Sequence, residues 1–127
     1  MGIKQRLLPY MKAIRNDLDV TTHCSILEGN GIVALERIRS SNVLNLDLGT
    51  GSKLPPYATS MGKAIVAFMD IEEQKKIAEQ LDFQPLTPKT ITEKDLFLAE
   101  LQKTRLRGYA VADQELTIGL KSTNYRF

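Results

Sequence analysis

The chain has 127 residues and a net charge of +2, from 17 basic and 15 acidic side chains. A chain of this length is expected to form one domain with its own core, and 43% apolar with 25% charged residues is an ordinary soluble composition. No long apolar run and no signal-like N-terminus points to a membrane or to export, so we expect a cytoplasmic protein. The charge is too small and too evenly spread to indicate a nucleic-acid surface.

The content of cysteine and histidine argues against metal chemistry. The only cysteine, Cys24, follows the only histidine, His23, and adjacent side chains of an extended chain point to opposite faces. A zinc site needs about three or four protein ligands, which these two residues cannot supply. We therefore expect neither a metal nor a cofactor, with Cys24 buried in a strand and His23 exposed beside it.

The first segment, GIKQRLLPYMKAIRNDLDV, is predicted to be helical. Apolar residues recur in it at helical spacing, namely Ile3, Leu7, Met11, Ile14 and Leu18. Pro9 interrupts this pattern, because proline lacks an amide proton and clashes with the preceding turn. The helix is therefore expected either to begin near Leu8 or to be kinked there.

Three β-rich runs follow this helix. VTTHCSILEG and IVALERIR are separated by Gly29-Asn30-Gly31, which predicts a hairpin because Gly and Asn readily adopt the positive φ angles of tight turns. NVLNLDLG alternates apolar and polar residues, as a half-exposed strand does, and it ends in the predicted loop GTGSKLPP.

The second half of the chain is predicted to contain three helices and two further strands. Thr59 or Ser60 can cap a largely buried helix through MGKAIVAFM, and EEQKKIAEQLDF forms a short charged helix. TEKDLFLAELQKTRLRG forms the third, with Thr92 as its N-cap and Gly108 at its end. YAVAD and ELTIGLKS are predicted to be strands beside an acidic turn. This order of elements predicts an α+β fold, an antiparallel or mixed sheet with packed helices.

The stretch PPYATSMGKAIVAF, residues 55–68, carries the most distinctive chemistry. It is not a P-loop, because Tyr57 and Ala64 stand where that motif requires glycine and Ser or Thr. Ser60 and Lys63 match the Ser-x-x-Lys pattern of penicillin-recognising enzymes, but neither Ser-Asp-Asn nor Lys-Thr-Gly follows. A serine hydrolase that uses these two residues is therefore kept only as an alternative.

The same helix start could bind an anion. The first amides of a helix lack intrahelical partners and lie at the positive end of its dipole, so Ser60 and Met61 could donate to a carboxylate. The competing interpretation is that the Thr59 and Ser60 hydroxyls only cap the helix. Asp113 and Glu115 could form a carboxylate pair for acid and base catalysis, although a solvated turn is the simpler interpretation.

Five sequence elements occur in an order known from one family. They are a hairpin ending in a basic residue, a G-x-x-x-P loop, the ATSMGK helix start, the TPKTIT segment and the stretch RLRGYAVADQELTIGLKS. Together they resemble the effector-binding domain of the IclR family of bacterial transcription regulators, over about residues 1–122. YATSMGKA and ELTIGLKS look most like the branch that regulates β-ketoadipate pathway genes in response to protocatechuate, 4-hydroxybenzoate or related acids.

The resemblance implies a sensor related to GAF and profilin domains, which binds a small organic or aromatic carboxylate and catalyses no reaction. It also implies association into dimers or tetramers, and a pocket between the sheet and the start of the Met-Gly-Lys helix. The pocket residues carried over by the resemblance are Val43, Leu54, Ser60, Met61, Asp113, Leu120 and Ser122. Lys63 would then be structural or solvated rather than a partner for Ser60.

Two features depart from the family pattern. Nothing here resembles the winged helix-turn-helix domain that precedes this region in family members, so DNA contact is expected only through a domain absent from this chain. After Ser122 the family continues through an Ala-x-Pro segment and further strands, whereas this chain reads Thr-Asn-Tyr-Arg-Phe. We therefore expect residues 1–127 to form a single domain that is incomplete at its C-terminus, with a poorly stable isolated monomer. A further alternative is an interaction module that has lost its ligand and keeps only its oligomerisation.

Overall fold

The computed structural model describes residues 2–39 and 53–125, apart from the side chain of Tyr125. Its elements, in chain order, are α1 (Ile3–Leu18), β1 (Thr22–Glu28), β2 (Gly31–Ile38), β3 (Lys53–Leu54), a 3-10 turn (Pro56–Ala58), α2 (Ser60–Ala67), α3 (Ile71–Gln80), α4 (Lys94–Arg107), β4 (Tyr109–Asp113) and β5 (Lys121–Tyr125). One sheet has the strand order β1-β2-β3, and β4 pairs with β5 in an antiparallel second sheet. The predicted α+β class is confirmed.

The chain divides into two compact units, which are described separately. The first consists of Met1–Ile26 with Val33–Lys53, and the second of Leu27–Ile32 with Leu54–Phe127. In the first unit α1 is continuous through Pro9, so the expectation of a start near Leu8 is wrong. A proline removes one intrahelical hydrogen bond. The 16-residue helix nevertheless extends both before and after Pro9.

The apolar stripe predicted for α1 is only partly buried. Met11 is buried, and its carbonyl oxygen accepts a hydrogen bond from the Thr22 hydroxyl at 3.1 Å. Ile3, Ile14 and Leu18 are exposed instead.

The predicted hairpin is confirmed, with Gly29 and Asn30 between β1 and β2. Gly29 has a φ of 62°, a conformation that glycine adopts without steric cost. Cys24 is buried as predicted, and burial raises the pKa of its thiol. His23 is half-buried, so the expectation that it is exposed is wrong. Alternation along a strand separates two faces, but it does not determine how completely the second face is covered.

The run predicted as a third strand, NVLNLDLG, lies outside the described residues, and so does Val43. The predicted loop GTGSKLPP is described only from Lys53 onward. There the chain forms the two-residue strand β3 rather than a loop. A strand of only two residues is defined by its pairing with a neighbouring strand, so no local sequence pattern predicts it.

The core of the second unit forms around α2 and α4. Its buried members are Tyr57, Ala58, Val66, Ala67, Ala78, Phe97 and Leu101. The Phe83 ring lies between two of these rings, with centroids 4.8 Å from Tyr57 and 5.9 Å from Phe97. The buried Gln74 amide of α3 donates to Ala67 O at 3.0 Å and so satisfies a carbonyl at the end of α2. This packing holds α2, which is buried along nearly its whole length as predicted.

Of the two predicted ends of α4, the C-terminal end is confirmed and the N-cap is wrong. The helix ends at Gly108, whose φ of 88° is the left-handed conformation of a glycine cap, as expected. Its N-cap, however, is Glu93 without a side-chain cap, and not Thr92. The acidic Asp95 in the first turn still complements the helix dipole, so the helix can begin one residue later without a hydroxyl cap.

The predicted strand ELTIGLKS is mostly a loop. Residues 114–120 turn between β4 and β5, with a left-handed φ of 57° at Gln114, and β5 begins only at Lys121. The physical reason is that Glu115 turns inward to meet a buried lysine instead of continuing the strand. In the resulting register Ala110 lies opposite Asn124 and Ala112 opposite Ser122.

Candidate functional site

Ser60, the first residue of α2, is fully buried at 0% exposure. Its hydroxyl oxygen lies 2.8 Å from Ser122 Oγ and 2.7 Å from Asn124 Oδ1. An amide oxygen can only accept, so the single hydroxyl proton of Ser60 goes to Asn124, which leaves the Ser122 hydroxyl as the donor in the other contact. Three polar side chains therefore meet where α2 begins. We call Ser60, Ser122 and Asn124 the hydroxyl–amide cluster.

The antiparallel register explains why these groups meet. Ser122 and Asn124 are two positions apart on β5, so they share one face of the β4–β5 pair. Opposite them on β4 lie the buried Ala112 and Ala110, whose small side chains allow α2 to pack closely against both strands. Ser60 contacts this face.

The capping interpretation holds for one hydroxyl and not for the other. Thr59 Oγ1 accepts from the Gly62 amide at 3.1 Å, and Thr59 O accepts from the Lys63 amide at 3.1 Å, so Thr59 is the N-cap of α2. The Ser60 hydroxyl points to β5 instead. It is therefore bonded to β5 rather than used to start the helix.

Lys63 occupies a different environment from Ser60, although only one turn separates them. It is 1% exposed, and its ammonium donates to both carboxylate oxygens of Glu115 at 2.7 and 2.9 Å and to Val111 O at 3.0 Å. Glu100 Oε1 lies 4.0 Å away. Lys63 is thus structural. Its ammonium is held by Glu115, and the Ser60 hydroxyl is held by β5, so the geometry gives the hydrolase alternative no support.

Glu115 is buried, so the expectation of a solvated acidic turn is wrong at this position. Besides Lys63, its carboxylate accepts from the Asp113 amide at 3.1 Å. The loop is held from outside as well, because the hydroxyls of Thr87 and Thr90 donate to Gln114 O and Glu115 O. Contacts from three segments therefore hold Gln114 and Glu115, the first two residues of the loop.

An open cleft of about 290 Å³ lies beside this ion pair. It is lined by Lys63, Lys89, Ile91, Glu100, Asp113 and Glu115. Asp113 is partly exposed and lies 3.7 Å from Lys89 Nζ. Within the described ranges, no group of three or more His, Cys, Asp or Glu side chains could hold a metal ion.

The structure brings together only some of the residues predicted for the pocket. Ser60 and Ser122 are in direct contact, and the buried Met61 follows Ser60 in α2. Asp113 pairs with Lys121, one position away from the Ala112 and Ser122 pair, so it belongs to the opposite face of the strands and lines the cleft.

The remaining predicted residues are less closely associated. Leu120 is half-buried just before β5, and Leu54 is half-buried at the end of β3. Asn124, which the sequence analysis missed, is in contact with Ser60. Asn124 follows Ser122 by two positions on the same strand, and this spacing could have predicted that both side chains lie on one face.

The family of this chain can now be named. The chain matches the family described as bacterial transcriptional regulator IclR C-terminal, over residues 1–124. It belongs to this IclR family. The match extends across the hydroxyl–amide cluster, including Asn124 at its end. Membership in a family of transcriptional regulators agrees with the prediction that the chain is not an enzyme.

Among curated proteins, the chain is similar to the Pca regulon regulatory protein of Pseudomonas putida. The two are 32% identical over 115 residues, which is 90% of this chain and 40% of that protein. A second relative is the regulator KdgR of Escherichia coli, with 32% identity over 101 residues, 80% of this chain and 38% of that protein. The chain thus spans less than half the length of these IclR-family relatives.

Solved structures show the same fold. The Thermotoga maritima IclR structure superposes with a TM-score of 0.92 at 28% identity, covering 97% of this chain and 50% of that one. The inducer-binding domain of a PobR double mutant from Acinetobacter, in complex with 3-hydroxybenzoic acid, gives a TM-score of 0.86 at 24% identity, covering 97% and 73%. The second likeness shows the fold alone. In the part of the chain that the structure describes, no helix is both long and apolar enough to cross a membrane.

Proposed function

We propose that residues 1–127 are the effector-sensing domain of an IclR-type regulator, and that the domain binds a small organic or aromatic carboxylate at the start of α2. The observation that carries this proposal is the fully buried Ser60 hydroxyl, in contact with Ser122 and Asn124 where the helix begins. Buried polar groups are costly unless they are hydrogen-bonded. Ser60 and its two half-buried partners meet at the positive end of the α2 dipole, which favours an anionic ligand.

The predicted site residues divide into two groups in this proposal. Ser60 and Ser122 supply hydroxyl groups, and Met61 follows Ser60 in the first turn of α2. Leu54 and Leu120 would contribute apolar contacts to the body of the effector. Asp113, on the opposite face of β4, stays a predicted site residue, and so does Val43, which lies outside the described residues. Pockets of this kind are mainly apolar, with a few polar groups that orient the ligand.

The relatives guide the choice of the first ligands. The PobR domain with the same fold is in complex with 3-hydroxybenzoic acid, and a relative regulates a Pca regulon. Hydroxybenzoates are therefore the first aromatic acids to test, as the β-ketoadipate branch resemblance also indicates. Pyruvate and glyoxylate represent the small aliphatic acids.

Two further parts of the proposal concern partners. The chain assembles as a homo-oligomer, a dimer or a tetramer, which sedimentation velocity at several concentrations would detect. DNA is contacted through a separate domain and not through residues 1–127, in line with the mild net charge of +2.

The test is isothermal calorimetry of the 127-residue chain with protocatechuate, 4-hydroxybenzoate, pyruvate and glyoxylate. We expect heat from at least one acid, and Ser122→Ala should weaken its binding about fivefold, because it removes the neutral hydrogen bond that positions the Ser60 hydroxyl, which contributes about 1 kcal/mol. Thr123→Ala is the matched control, because Thr123 is exposed and lies on the other face of β5. Absence of heat from all four acids with the folded wild-type chain would count against the proposal.

A further inference from the structure

Helix α1 carries an exposed apolar stripe. Its members are Ile3, Tyr10, Ile14 and Leu18, at 59%, 69%, 46% and 68% exposure. Successive residues are about 100° apart around a helix, so these four side chains lie on one side of α1, next to the buried side that Met11 marks. We call them the α1 stripe. Contiguous apolar surface of this kind on a soluble protein marks an interaction site.

The spacing of the α1 stripe fits a second helix. Ile3 and Tyr10 are seven positions apart, and so are the half-buried Leu7 and the exposed Ile14. Two interleaved series with this heptad repeat form the seam along which paired helices pack. The 16 residues of α1 span about 24 Å, so a helix of the same length can follow the seam from end to end.

The charges beside the α1 stripe indicate which helix pairs with it. Arg6 and Asp17 are exposed and lie on the same edge of the stripe, because the step of 11 positions from one to the other makes about three turns. If two copies of α1 pair antiparallel about a twofold axis, Arg6 of each copy faces Asp17 of the other. A parallel pair would instead set Arg6 against Arg6 and Asp17 against Asp17. The charges at this edge therefore favour a second copy of the chain in the antiparallel direction.

We infer that α1 packs antiparallel on α1 of a second copy of this chain through the α1 stripe. This inference rests on the homo-oligomer of the proposed function and names its surface and geometry. A twofold axis near Tyr10 places Ile3 opposite the second copy's Leu18, and Leu7 opposite its Ile14. A single helix pair is smaller than a standard interface of about 800 Å² per partner. The dimer is therefore weak, and its stability responds to the charges at the edge.

The experiment reverses each edge charge and measures the Kd of dimerisation by sedimentation velocity of the 127-residue chain over a concentration series. Arg6→Asp brings two carboxylates together at both ends of the pair, and Asp17→Arg brings two guanidinium groups together. Each single variant should dimerise about tenfold more weakly than the wild type, because like charges are juxtaposed twice. The double variant restores both attractions and should recover the wild-type Kd, and so should an equimolar mixture of the two single variants.

Lys12→Asp is the matched control. It makes the same change of charge as Arg6→Asp at an exposed position of the same helix. Lys12 is two positions from both Tyr10 and Ile14, about 200° around the helix, so it lies away from the α1 stripe and the Kd should not change. If the wild type dimerises and all these variants dimerise equally well, another surface forms the oligomer. That result would overturn the inference and leave the proposed function standing.

Two further outcomes are decisive. A wild-type chain that stays monomeric at every concentration would overturn both the inference and the proposed homo-oligomer, while effector binding is measured separately by calorimetry. If a single variant loses its thermal transition, Tyr10→Ser replaces it, because a side chain that is 69% exposed can be shortened without loss of the fold. It removes an apolar contact from each copy beside the twofold axis and should weaken dimerisation about tenfold. An unchanged Kd for Tyr10→Ser would overturn the inference.

Discussion

At the residue scale, the position of α2 depends on the absence of a side chain at Gly62. A Cβ atom built at Gly62 would lie 2.3 Å from Pro56 Cα and 2.7 Å from Pro56 O. These are backbone atoms of the 3-10 turn, so no rotamer change can relieve the contact. The glycine of the Met-Gly-Lys motif therefore lets the helix start lie against the preceding turn, which in turn places Ser60 beside β5.

Because of this close approach, Gly62→Ala should destabilise the chain, which is opposite to the usual effect of replacing glycine by alanine in a helix. In an ordinary helix interior, replacing glycine by alanine stabilises by about 1 kcal/mol. Here we expect a loss of about 1–3 kcal/mol, the usual cost of overpacking, measured by urea unfolding. Gly2→Ala is the control, because a Cβ there meets nothing within 4 Å. A Gly62→Ala variant as stable as the wild type would show that the turn and the helix can separate.

At the element scale, the Lys63–Glu115 ion pair joins α2 to the loop between β4 and β5. The two residues are 52 positions apart, and Lys63 is 1% exposed. Burying two charges is costly, and the geometry here offsets that cost with two carboxylate contacts and one carbonyl contact for a single ammonium. The pair thereby holds in place the same helix whose first residue belongs to the hydroxyl–amide cluster.

A double-mutant cycle measures this connection. Lys63→Met leaves Glu115 buried without its cation and should destabilise the chain by about 3–5 kcal/mol, whereas the double change with Glu115→Leu should recover much of that loss. Chemical denaturation of the wild type, the two single variants and the double variant gives the coupling free energy between Lys63 and Glu115. The exposed pair Lys94–Glu79, at 3.9 Å, is the control, and Lys94→Met should change stability by only about 0–1 kcal/mol. Equal losses from Lys63→Met and Lys94→Met would contradict a structural role for the buried pair.

At the scale of the whole molecule, stability should depend on pH through Glu36. The pKa of this carboxyl is lowered first by the hydrogen bond from the Arg37 amide, at 3.1 Å, and then by Lys4, whose ammonium lies 3.3 Å away. A carboxyl with a lowered pKa in the folded state contributes stability above its unfolded pKa and loses that contribution as the pH falls through the folded value. The affected range is therefore below about pH 4.5.

Glu36→Gln tests this dependence. We expect the stability of the wild type to fall more steeply than that of Glu36→Gln when the pH is lowered from neutral into this range, because the variant has no carboxyl to protonate. Lys4→Met should give an intermediate slope, since it removes the ion pair and keeps the amide hydrogen bond. Urea unfolding at a series of pH values gives the slopes, and parallel curves for all three proteins would show that Glu36 makes no contribution.

The sequence alone determined the features that short-range chemistry controls. The hairpin at Gly29, a hydroxyl cap at Thr59 or Ser60, the buried α2 and the glycine end of α4 each follow from a few adjacent residues, because turns, caps and periodic burial are local properties of the backbone. The structure then showed that Thr59 is the cap. The order of motifs also identified the family. Two predictions failed although local signals favoured them, the N-cap at Thr92 and the strand after Asp113.

Only the tertiary structure decided which polar groups meet. Ser60 and Asn124 are 64 positions apart, and their contact depends on the register of β4 and β5 and on the approach of α2. The burial of Glu115 against Lys63 likewise has no local sequence signal. Pairings of this kind depend on how separate elements pack, since a buried charge or hydroxyl is stable only where the fold brings its partner within hydrogen-bond distance.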